Sequence, residues 1–166
     1  MTDHPAAVKW NGRYRNEGHY RQQGPPSQLL QNFVHLLPKR GVVLDAAAGL
    51  GVNTLFVAQQ GIQVVALDIS EVGLRLLSQR ALDLKIEVAT AVFDLTTPYF
   101  PANCVDVVLN FRFLERAAIT AYKQALRPGG LIIFETFVHA GEGEPPVFFL
   151  APGELAKAFA DFEVIH

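Results

Sequence analysis

The chain alternates between short continuous apolar runs and longer segments whose apolar residues recur at helical spacing. Continuous apolar runs of this length are typical of strands in a parallel sheet that is covered on both faces. The pattern predicts six strands, at Val42–Leu44, Ile62–Leu67, Ile86–Ala91, Val105–Leu109, Leu131–Phe134 and Phe162–Ile165. Helices are expected between these strands, at Ser27–Leu37, Val52–Gln60, Glu71–Leu82, Glu115–Leu126 and Pro152–Ala160.

This alternation of strands and helices predicts an α/β fold with a doubly wound, mostly parallel sheet and right-handed crossovers. The length of 166 residues fits one domain, so residues 1–166 are assigned to a single unit. Residues 25–166 are expected to form its core. Residues 1–24 are polar, and they are expected to form an irregular N-terminal arm or lid.

The segment Gly41–Asp68 combines the features that indicate a ligand site. It reads as strand, glycine-containing turn, helix and strand, and the two strands end on the carboxylates of Asp45 and Asp68. A glycine in the turn lets a ligand approach the backbone, and the following helix offers unpaired N–H groups and a positive dipole end. An acid at the tip of the second strand can accept hydrogen bonds from ribose hydroxyls. The segment therefore predicts a site for a nucleoside-bearing cofactor.

Two residues decide which nucleoside cofactor fits best. The dinucleotide fingerprint G-x-G-x-x-G needs a third glycine where this chain has Thr54. The carboxylate of Asp45 would repel a pyrophosphate and attract a cation. S-adenosylmethionine carries an ammonium and a sulfonium group and no phosphate. The charge pattern therefore favours S-adenosylmethionine, with a nicotinamide cofactor as the weaker alternative.

Four motifs, in this order, resemble those of class I S-adenosylmethionine-dependent methyltransferases. They are L-D-A-A-A-G-L-G at Leu44–Gly51, V-A-L-D-I-S at Val65–Ser70, F-D-L at Phe93–Leu95 and L-R-P-G-G at Leu126–Gly130. The resemblance implies a Rossmann-like methyltransferase fold with S-adenosylmethionine as its cofactor. It also implies a set of cofactor-binding residues, namely Asp45, Ala46, Ala47, Gly49, Gly51, Asn53, Asp68, Ile69, Asp94, Leu95 and Asn110.

The resemblance assigns separate roles within that set. Asp68 is expected to bind the ribose hydroxyls, Ile69 to press on the adenine ring and Asp94 to accept a hydrogen bond from the exocyclic amine. Ala47 stands where the family usually has its first glycine. The alternative roles are a helix cap for Asp45, a surface acid for Asp68 and a turn residue for Asp94.

An aromatic and basic element precedes the first motif. Its W-x-x-R-Y pattern, formed by Trp10, Arg13 and Tyr14, resembles the N-terminal lid of small-molecule methyltransferases of the tellurite-resistance type. Aromatic rings in a lid can cover the sulfonium, and an arginine can hold an anionic substrate group. The alternative is an arm that packs its tryptophan on the surface of the domain.

The acceptor side of the site is expected at the end of the fourth strand. Phe111 and Arg112 lie there, and Arg112 either binds an anionic acceptor group or pairs with Glu115. His139 follows the fifth strand and is either a general base or an exposed loop histidine. The catalytic residue stays unassigned, with Arg112 and His139 as the candidates. The Asn110–Phe111 pair lacks the prolines of the N-P-P-[YF] motif found in DNA amino-methylating enzymes, which argues against nucleic-acid methylation.

Composition and charge exclude several classes of partner. The formal net charge is −2, so there is no global electrostatic case for nucleic acid or an anionic membrane. No apolar run resembles a signal peptide or a membrane span. The single cysteine fits a reducing compartment, and the histidines have no metal-ligand spacing. These observations predict a cytoplasmic protein that binds no metal, and the resemblance to the tellurite-resistance type implies a small-molecule acceptor.

The sequence offers one strand too few for the resembling family, whose last, antiparallel strand lies between the fifth and the sixth. Either the chain is truncated, or the sixth strand pairs differently, or a partner chain supplies the edge. Because an unpaired edge exposes ladder groups, we expect a frayed C-terminus or a homodimer through this unfinished sheet edge.

The preferred interpretation is methyl transfer from S-adenosylmethionine to a small-molecule acceptor by in-line displacement. The rival interpretation is a catalytically weak or truncated module that binds the same cofactor without turnover. Release of the demethylated cofactor distinguishes the two.

Overall fold

A five-stranded parallel sheet is the centre of the computed structural model, which describes residues 4–18 and 24–166. Its strands are β1 Val42–Ala46, β2 Gln63–Asp68, β3 Ala89–Val92, β4 Val105–Phe111 and β5 Leu126–Glu135. They lie in the order β3-β2-β1-β4-β5, and every neighbouring pair is parallel. The strand order reverses between β1 and β4, which is where open α/β sheets of this type bind their ligands.

Six α-helices accompany the sheet in the described part of the chain. They are α1 Pro5–Asn16, α2 Gln28–Phe33, α3 Val52–Ala58, α4 Glu71–Asp83, α5 Arg116–Ala125 and α6 Glu154–Ala158. A 3₁₀ turn, Val34–Leu36, extends α2. None of the helices in residues 4–18 and 24–166 is long and apolar enough to cross a membrane.

The core lies on both faces of the sheet, as the continuous apolar runs predict. On one face Leu44 and Val108 pack with Tyr122 of α5. On the other face Val43 and Val107 pack with α2 and α3 through a cluster that is almost fully buried. Alternate residues of each strand therefore serve opposite layers, and the predicted doubly wound α/β architecture is confirmed.

The N-terminal arm is helical where the sequence predicted an irregular segment. His4 caps α1 by accepting a hydrogen bond from the Ala6 amide through Nδ1 (3.2 Å), and Pro5 occupies the first turn. The helix buries only Ala7 and Tyr14, so its apolar stripe is too narrow to be recognised from periodicity. The rest of the predicted arm, residues 1–3 and 19–23, lies outside the described residues.

The third and sixth predicted strands are also corrected. The segment at Ile86 forms the exit from α4, with its amide bonded to the Ala81 carbonyl, so β3 begins three residues later. The segment Phe162–Ile165 forms no strand, and Val164 and Ile165 are exposed. Among the described residues β5 forms one edge of the sheet and β3 the other, and the homodimer expected at the β5 edge stays a prediction.

Candidate functional site

Two carboxylates meet at the carboxyl ends of β1 and β2. Asp45 pairs in register with Ala66, and Asp68 ends the neighbouring strand. The Oδ2 atom of Asp68 accepts a hydrogen bond from the Gly49 amide (2.8 Å), and Oδ1 accepts one from the Ser70 amide (2.7 Å). Asp68 is buried, so its surface-acid alternative is excluded. Its backbone bonds fix the carboxylate between the glycine turn and the start of α4.

Asp45 is buried beneath the turn, where it binds a side chain of α3. The Thr54 hydroxyl donates to Oδ2 of Asp45 at 2.5 Å, and both residues are almost fully buried. Burial is the largest influence on Asp45 and raises its pKa, the hydrogen bond from Thr54 lowers it, and the charge of Asp68 raises it, so that the pKa lies at about 7. Burial also raises the pKa of Asp68. Thr54 therefore contributes a donor to the acid pair, at the place where the dinucleotide fingerprint has glycine.

The turn between β1 and α3 passes three times through the left-handed region of backbone conformation. The φ angles are 57° at Ala47, 58° at Gly49 and 72° at Gly51. A β-carbon on Gly51 would lie 2.2 Å from a methyl group of Leu77, so glycine is required there on steric grounds as well. Ala47 adopts the left-handed conformation despite its side chain, which non-glycine residues rarely do. The turn thus keeps its shape without the family's first glycine.

Helix α1 lies across the carboxyl ends of β1, β2 and β3. At its N-terminus, Nε2 of His4 lies 3.6 Å from Oδ2 of Asp94, just beyond β3. In its middle, Oδ1 of Asn11 accepts hydrogen bonds from the Ser70 hydroxyl (2.7 Å) and the Val72 amide (3.1 Å). The helix therefore touches the segments that follow β2 and β3.

At its last turn, α1 covers the glycine turn. A β-carbon on Gly49 would lie 2.8 Å from the phenolic oxygen of Tyr14, and one on Gly73 would lie 3.0 Å from the Tyr14 ring. The two glycines thus leave the space that this ring occupies. Trp10 stacks on Tyr14 with a centroid distance of 5.7 Å, and the Arg13 guanidinium lies 5.0 Å from the Trp10 ring centre. The three residues of the predicted W-x-x-R-Y lid element therefore lie together on one helix.

The residue predicted to bind adenine, Asp94, lies in a turn just beyond β3. Its Oδ1 accepts hydrogen bonds from the amide and the hydroxyl of Thr96, at 2.8 and 2.7 Å. The hydroxyl bond from Thr96 is the largest of the effects that lower the pKa of Asp94, so the side chain stays ionised. Leu95 is buried in the core beside it, and Ile69 is half-buried after β2. Asp94 therefore acts as a turn residue through Oδ1, while its Oδ2 atom faces His4.

At the end of β4, Asn110 is buried and Arg112 is exposed. Asn110 is buried, accepts a hydrogen bond from the Tyr122 hydroxyl (3.2 Å) and donates to the Phe113 carbonyl (2.8 Å). Arg112 is exposed at φ 55°, and its amide donates to the Glu135 carbonyl. The Glu115 carboxylate accepts from the Ala117 amide as the cap of α5. Within the described residues Arg112 forms no salt bridge, so the pairing with a neighbour such as Glu115 is not present in this structure.

The remaining candidates lie farther along the same edge. Asn53 accepts a hydrogen bond from the Ser27 amide (2.9 Å), while the Ser27 hydroxyl donates to Glu135 (3.1 Å). His139 is half-buried, and its ring meets Phe149 edge-on at 6.4 Å. No group of three potential metal-ligating side chains occurs among residues 4–18 and 24–166.

Comparison with known proteins identifies the family. A family model described as "Methyltransferase domain" matches residues 43–130, more than half of the chain. The chain is 27% identical over 101 residues to Phosphoethanolamine N-methyltransferase 1 of Arabidopsis thaliana. It is 32% identical over 101 residues to Ubiquinone biosynthesis O-methyltransferase of Idiomarina loihiensis.

The alignments cover different shares of these proteins. Each of the two sequence matches covers 57% of this chain, but only 21% and 41% of the respective relatives. The crystal structure of TehB from Haemophilus influenzae superposes with a TM-score of 0.75 at 19% identity, covering 95% of this chain and 57% of that one. The sequence motifs, the parallel sheet and the family match agree, and the chain belongs to the methyltransferase domain family, with the fold of class I S-adenosylmethionine-dependent methyltransferases.

Proposed function

We propose that this protein transfers a methyl group from S-adenosylmethionine to a small-molecule acceptor. The observation that carries the proposal is the pair of buried acids, Asp45 and Asp68, at the carboxyl ends of two adjoining strands. Both lie under a glycine turn whose backbone leaves room for close approach. Negative charge at this place complements a cation and opposes a phosphate.

The residues present fit a cationic adenosine compound. In this structure the Tyr14 hydroxyl occupies the space left by the missing β-carbon of Gly49, and the cofactor is proposed to approach the turn there when α1 moves away. The Asp68 carboxylate is held in place by two backbone amides, and each of its oxygens has a further lone pair for a ribose hydroxyl. A pyrophosphate would instead meet two acids and the buried Thr54 side chain.

The methyl donor, when bound, supplies its own electrophile, a methyl group on a positively charged sulfur. The protein is then required mainly to bind, align and exclude water. Asp68 and Asp94 orient the nucleoside end, and the 47–51 turn with Asp45 orients the amino-acid end. Asn110 is held by Tyr122 and Phe113, so it fixes the end of β4 beside the turn. Its contribution to cofactor binding is therefore proposed through the backbone and not through its amide.

Helix α1 is proposed as the lid of the cofactor site. Its contacts with Asp94, Ser70 and Gly49 fall beside the three segments assigned to adenine, ribose and the methionyl group. The stacked Trp10 and Tyr14 rings would keep water from the sulfonium, whose charge aromatic faces attract. Cofactor entry then requires α1 to move, because Tyr14 lies directly over the turn.

The acceptor is proposed to lie beyond β4 and β5. Phe111 is half-buried at the end of β4, and the neighbouring Arg112 has no ion-pair partner among the described residues. Arg112 is therefore proposed to bind a polar or anionic group of the acceptor. His139 is a candidate base, but a soft nucleophile such as a thiolate needs little assistance from one. The finding that one relative is named as an O-methyltransferase supports a small-molecule acceptor.

The direct test is turnover of a labelled methyl donor. Purified protein is incubated with methyl-labelled S-adenosylmethionine and a panel of small thiols and oxyanions, and the demethylated cofactor is quantified. Acceptor-dependent release in the wild type and loss of release in Asp68→Ala support the proposal. Tight binding without release for any acceptor favours the rival module that binds without turnover.

A further inference from the structure

A long loop, residues 136–150, follows β5 and returns on itself beside the candidate site. At its base the His139 amide donates to the Leu150 carbonyl (2.8 Å), and the Leu150 amide donates to the Phe137 carbonyl (2.9 Å). Val138 and Leu150 form a parallel bridge, and Leu150 is fully buried. The 136–150 loop is thus closed and anchored at its base.

One arginine holds the far part of this loop. The Arg116 guanidinium, at the start of α5, donates to the carbonyls of Val147 (3.2 Å) and Phe149 (3.1 Å). The same group pairs with both carboxylate oxygens of Glu154, at 2.6 and 3.0 Å. Glu154 in turn accepts a hydrogen bond from the Ala151 amide (2.8 Å). A planar fork of five donors is suited to this arrangement, and a lysine is not.

The loop presents apolar side chains to solvent. The exposed fractions are 50% for Phe137, 53% for Val138, 75% for Val147 and 66% for Phe148. The loop begins one residue after Glu135, which pairs in register with Phe111 at the end of β4. Arg116, which binds the loop at Val147 and Phe149, stands four residues after Arg112, so the loop lies near the carboxyl end of β4.

The charge around this apolar surface limits the class of partner that can bind it. The tip of the loop carries Glu142 and Glu144, and the segment Pro128–His166 contains six acidic side chains and one basic side chain. This charge opposes nucleic acid and an anionic membrane surface. The occupant that fits the exposed apolar side chains is a small apolar group of the acceptor, beside the end of β4. Such a group is neutral, so the acidic charge does not oppose it.

We propose that Arg116 is a positioning residue that fixes the 136–150 loop as one wall of the acceptor site, and that this wall selects acceptors with an apolar or aromatic group. The selection of acceptors rests on the proposed methyl transfer. The fixation of the loop and the binding of an apolar group do not, because both are measurable without turnover.

The first experiment measures hydrogen exchange by mass spectrometry on the full chain. In Arg116→Gln the hydrogen-bonded amides of His139, Phe149 and Leu150 are expected to exchange at least about tenfold faster than in the wild type, because the loop loses two hydrogen bonds and the ion pair with Glu154 that orients them. Arg116→Lys is expected to rescue little of this protection. The matched control is Arg127→Gln, which removes an equally exposed arginine whose ion pair with Asp106 lies at the other end of the sheet. Equal exchange of the loop in both variants overturns the positioning role.

The second experiment measures binding of a simple aromatic probe. Benzyl alcohol and ethanol are compared by saturation-transfer difference NMR on the wild type, on Arg116→Gln and on the double variant Val147→Ser with Phe148→Ser. Benzyl alcohol is expected to bind the wild type but neither variant. Ethanol is expected to bind none of the three proteins. Absence of benzyl alcohol binding, or equal binding to the wild type and the double variant, overturns the apolar wall.

Calorimetry with S-adenosylhomocysteine separates this proposal from the proposed function. Unchanged affinity of the Arg116 and loop variants for this compound is expected, because none of these side chains touches the 47–51 turn or the Asp45–Asp68 pair. If the wild type does not bind the compound, the proposed function fails while the loop results stand. A parallel loss of affinity in Arg116→Gln, but not in Arg127→Gln, contradicts a role confined to the acceptor wall.

Discussion

The phenolic oxygen of Tyr14 occupies the space that a β-carbon on Gly49 would fill, at a distance of only 2.8 Å. The N-terminal helix and the 47–51 turn are therefore packed too closely at this point to admit any side chain at position 49. If the turn binds the cofactor as proposed, this contact links cofactor access to the position of α1. Under the proposed function, the space at Gly49 is occupied either by Tyr14 or by the bound cofactor, and α1 moves between the two positions.

Loosening of α1 is the first testable consequence. Asn11→Ala removes the acceptor for the Ser70 hydroxyl and the Val72 amide, which costs the closed position about 1 kcal/mol or more. We expect cofactor release to accelerate about fivefold, with a red shift in the emission of Trp10, the only tryptophan. Stopped-flow fluorescence measures both. Asn16→Ala, an exposed change at the end of α1, is the control, and equal release rates in the two variants would refute the lid.

Cofactor affinity is expected to depend on pH through Asp45. Its pKa is raised to about 7 by burial, so the folded protein without ligand takes up a proton that the unfolded chain does not hold. The stability that this group contributes is complete below about pH 4 and is lost as the pH rises through about 7. A bound cation favours the carboxylate, so binding should release a proton and be about tenfold weaker at pH 6 than at pH 8.

Calorimetry in buffers of different ionisation enthalpy counts the released protons. Asp45→Asn should remove most of the pH dependence between about 6 and 8 while lowering the affinity throughout. A wild-type affinity that is flat over this range, with no proton release, contradicts an Asp45 that becomes ionised on binding.

Thr54 is expected to matter through its hydroxyl. Thr54→Val keeps the shape but leaves the buried Asp45 carboxyl without its donor, which should destabilise the folded protein by about 1–3 kcal/mol at pH 8. The loss should shrink below about pH 6, where the carboxyl is neutral. Thr54→Ser retains the hydroxyl and should lose less at pH 8. Urea unfolding at the two pH values decides this, and equal losses for both variants at pH 8 speak against the hydrogen bond.

The packing of the cofactor turn can be separated from its backbone strain. Gly51→Ala and Gly61→Ala both place a side chain at positive φ, at 72° and 79° respectively. Only at Gly51 does the new methyl group meet Leu77, whereas the space around Gly61 is open. Each change should cost about 1 kcal/mol of backbone strain, and Gly51→Ala about 1–3 kcal/mol more. Similar denaturant midpoints for the two variants would show that Leu77 moves aside at no measurable cost, and would contradict the expected steric penalty at Gly51.

The sequence predicted the sheet because each strand carries its own signal in a continuous apolar run, which both faces of a parallel sheet require. Asp45 and Asp68 were predictable for the same reason, since the strand that carries each of them fixes its place. The segment Phe162–Ile165 has strand composition as well. In the described residues, however, it pairs with no strand, and the outer side of β5 carries no neighbouring strand.

What the sequence did not reveal depends on pairs that are distant along the chain. Thr54 interrupts a known fingerprint, and only the fold shows that its hydroxyl meets Asp45. Helix α1 packs through Asn11 and Tyr14, two polar-tipped side chains that give no apolar periodicity. Arg116 and Glu154 lie 38 residues apart, so their pairing cannot be predicted from local residue spacing.

The central claim is that Asp45 and Asp68 form a site for a cationic, phosphate-free adenosine compound. Isothermal titration calorimetry of S-adenosylmethionine and NAD⁺, on the wild type and on Asp68→Ala, tests it most directly. The account predicts saturable binding of S-adenosylmethionine alone, weakened at least about thirtyfold by the substitution, which corresponds to about 2 kcal/mol for the lost charged hydrogen bonds. Tighter binding of NAD⁺, or unchanged affinity of Asp68→Ala for S-adenosylmethionine, would contradict it.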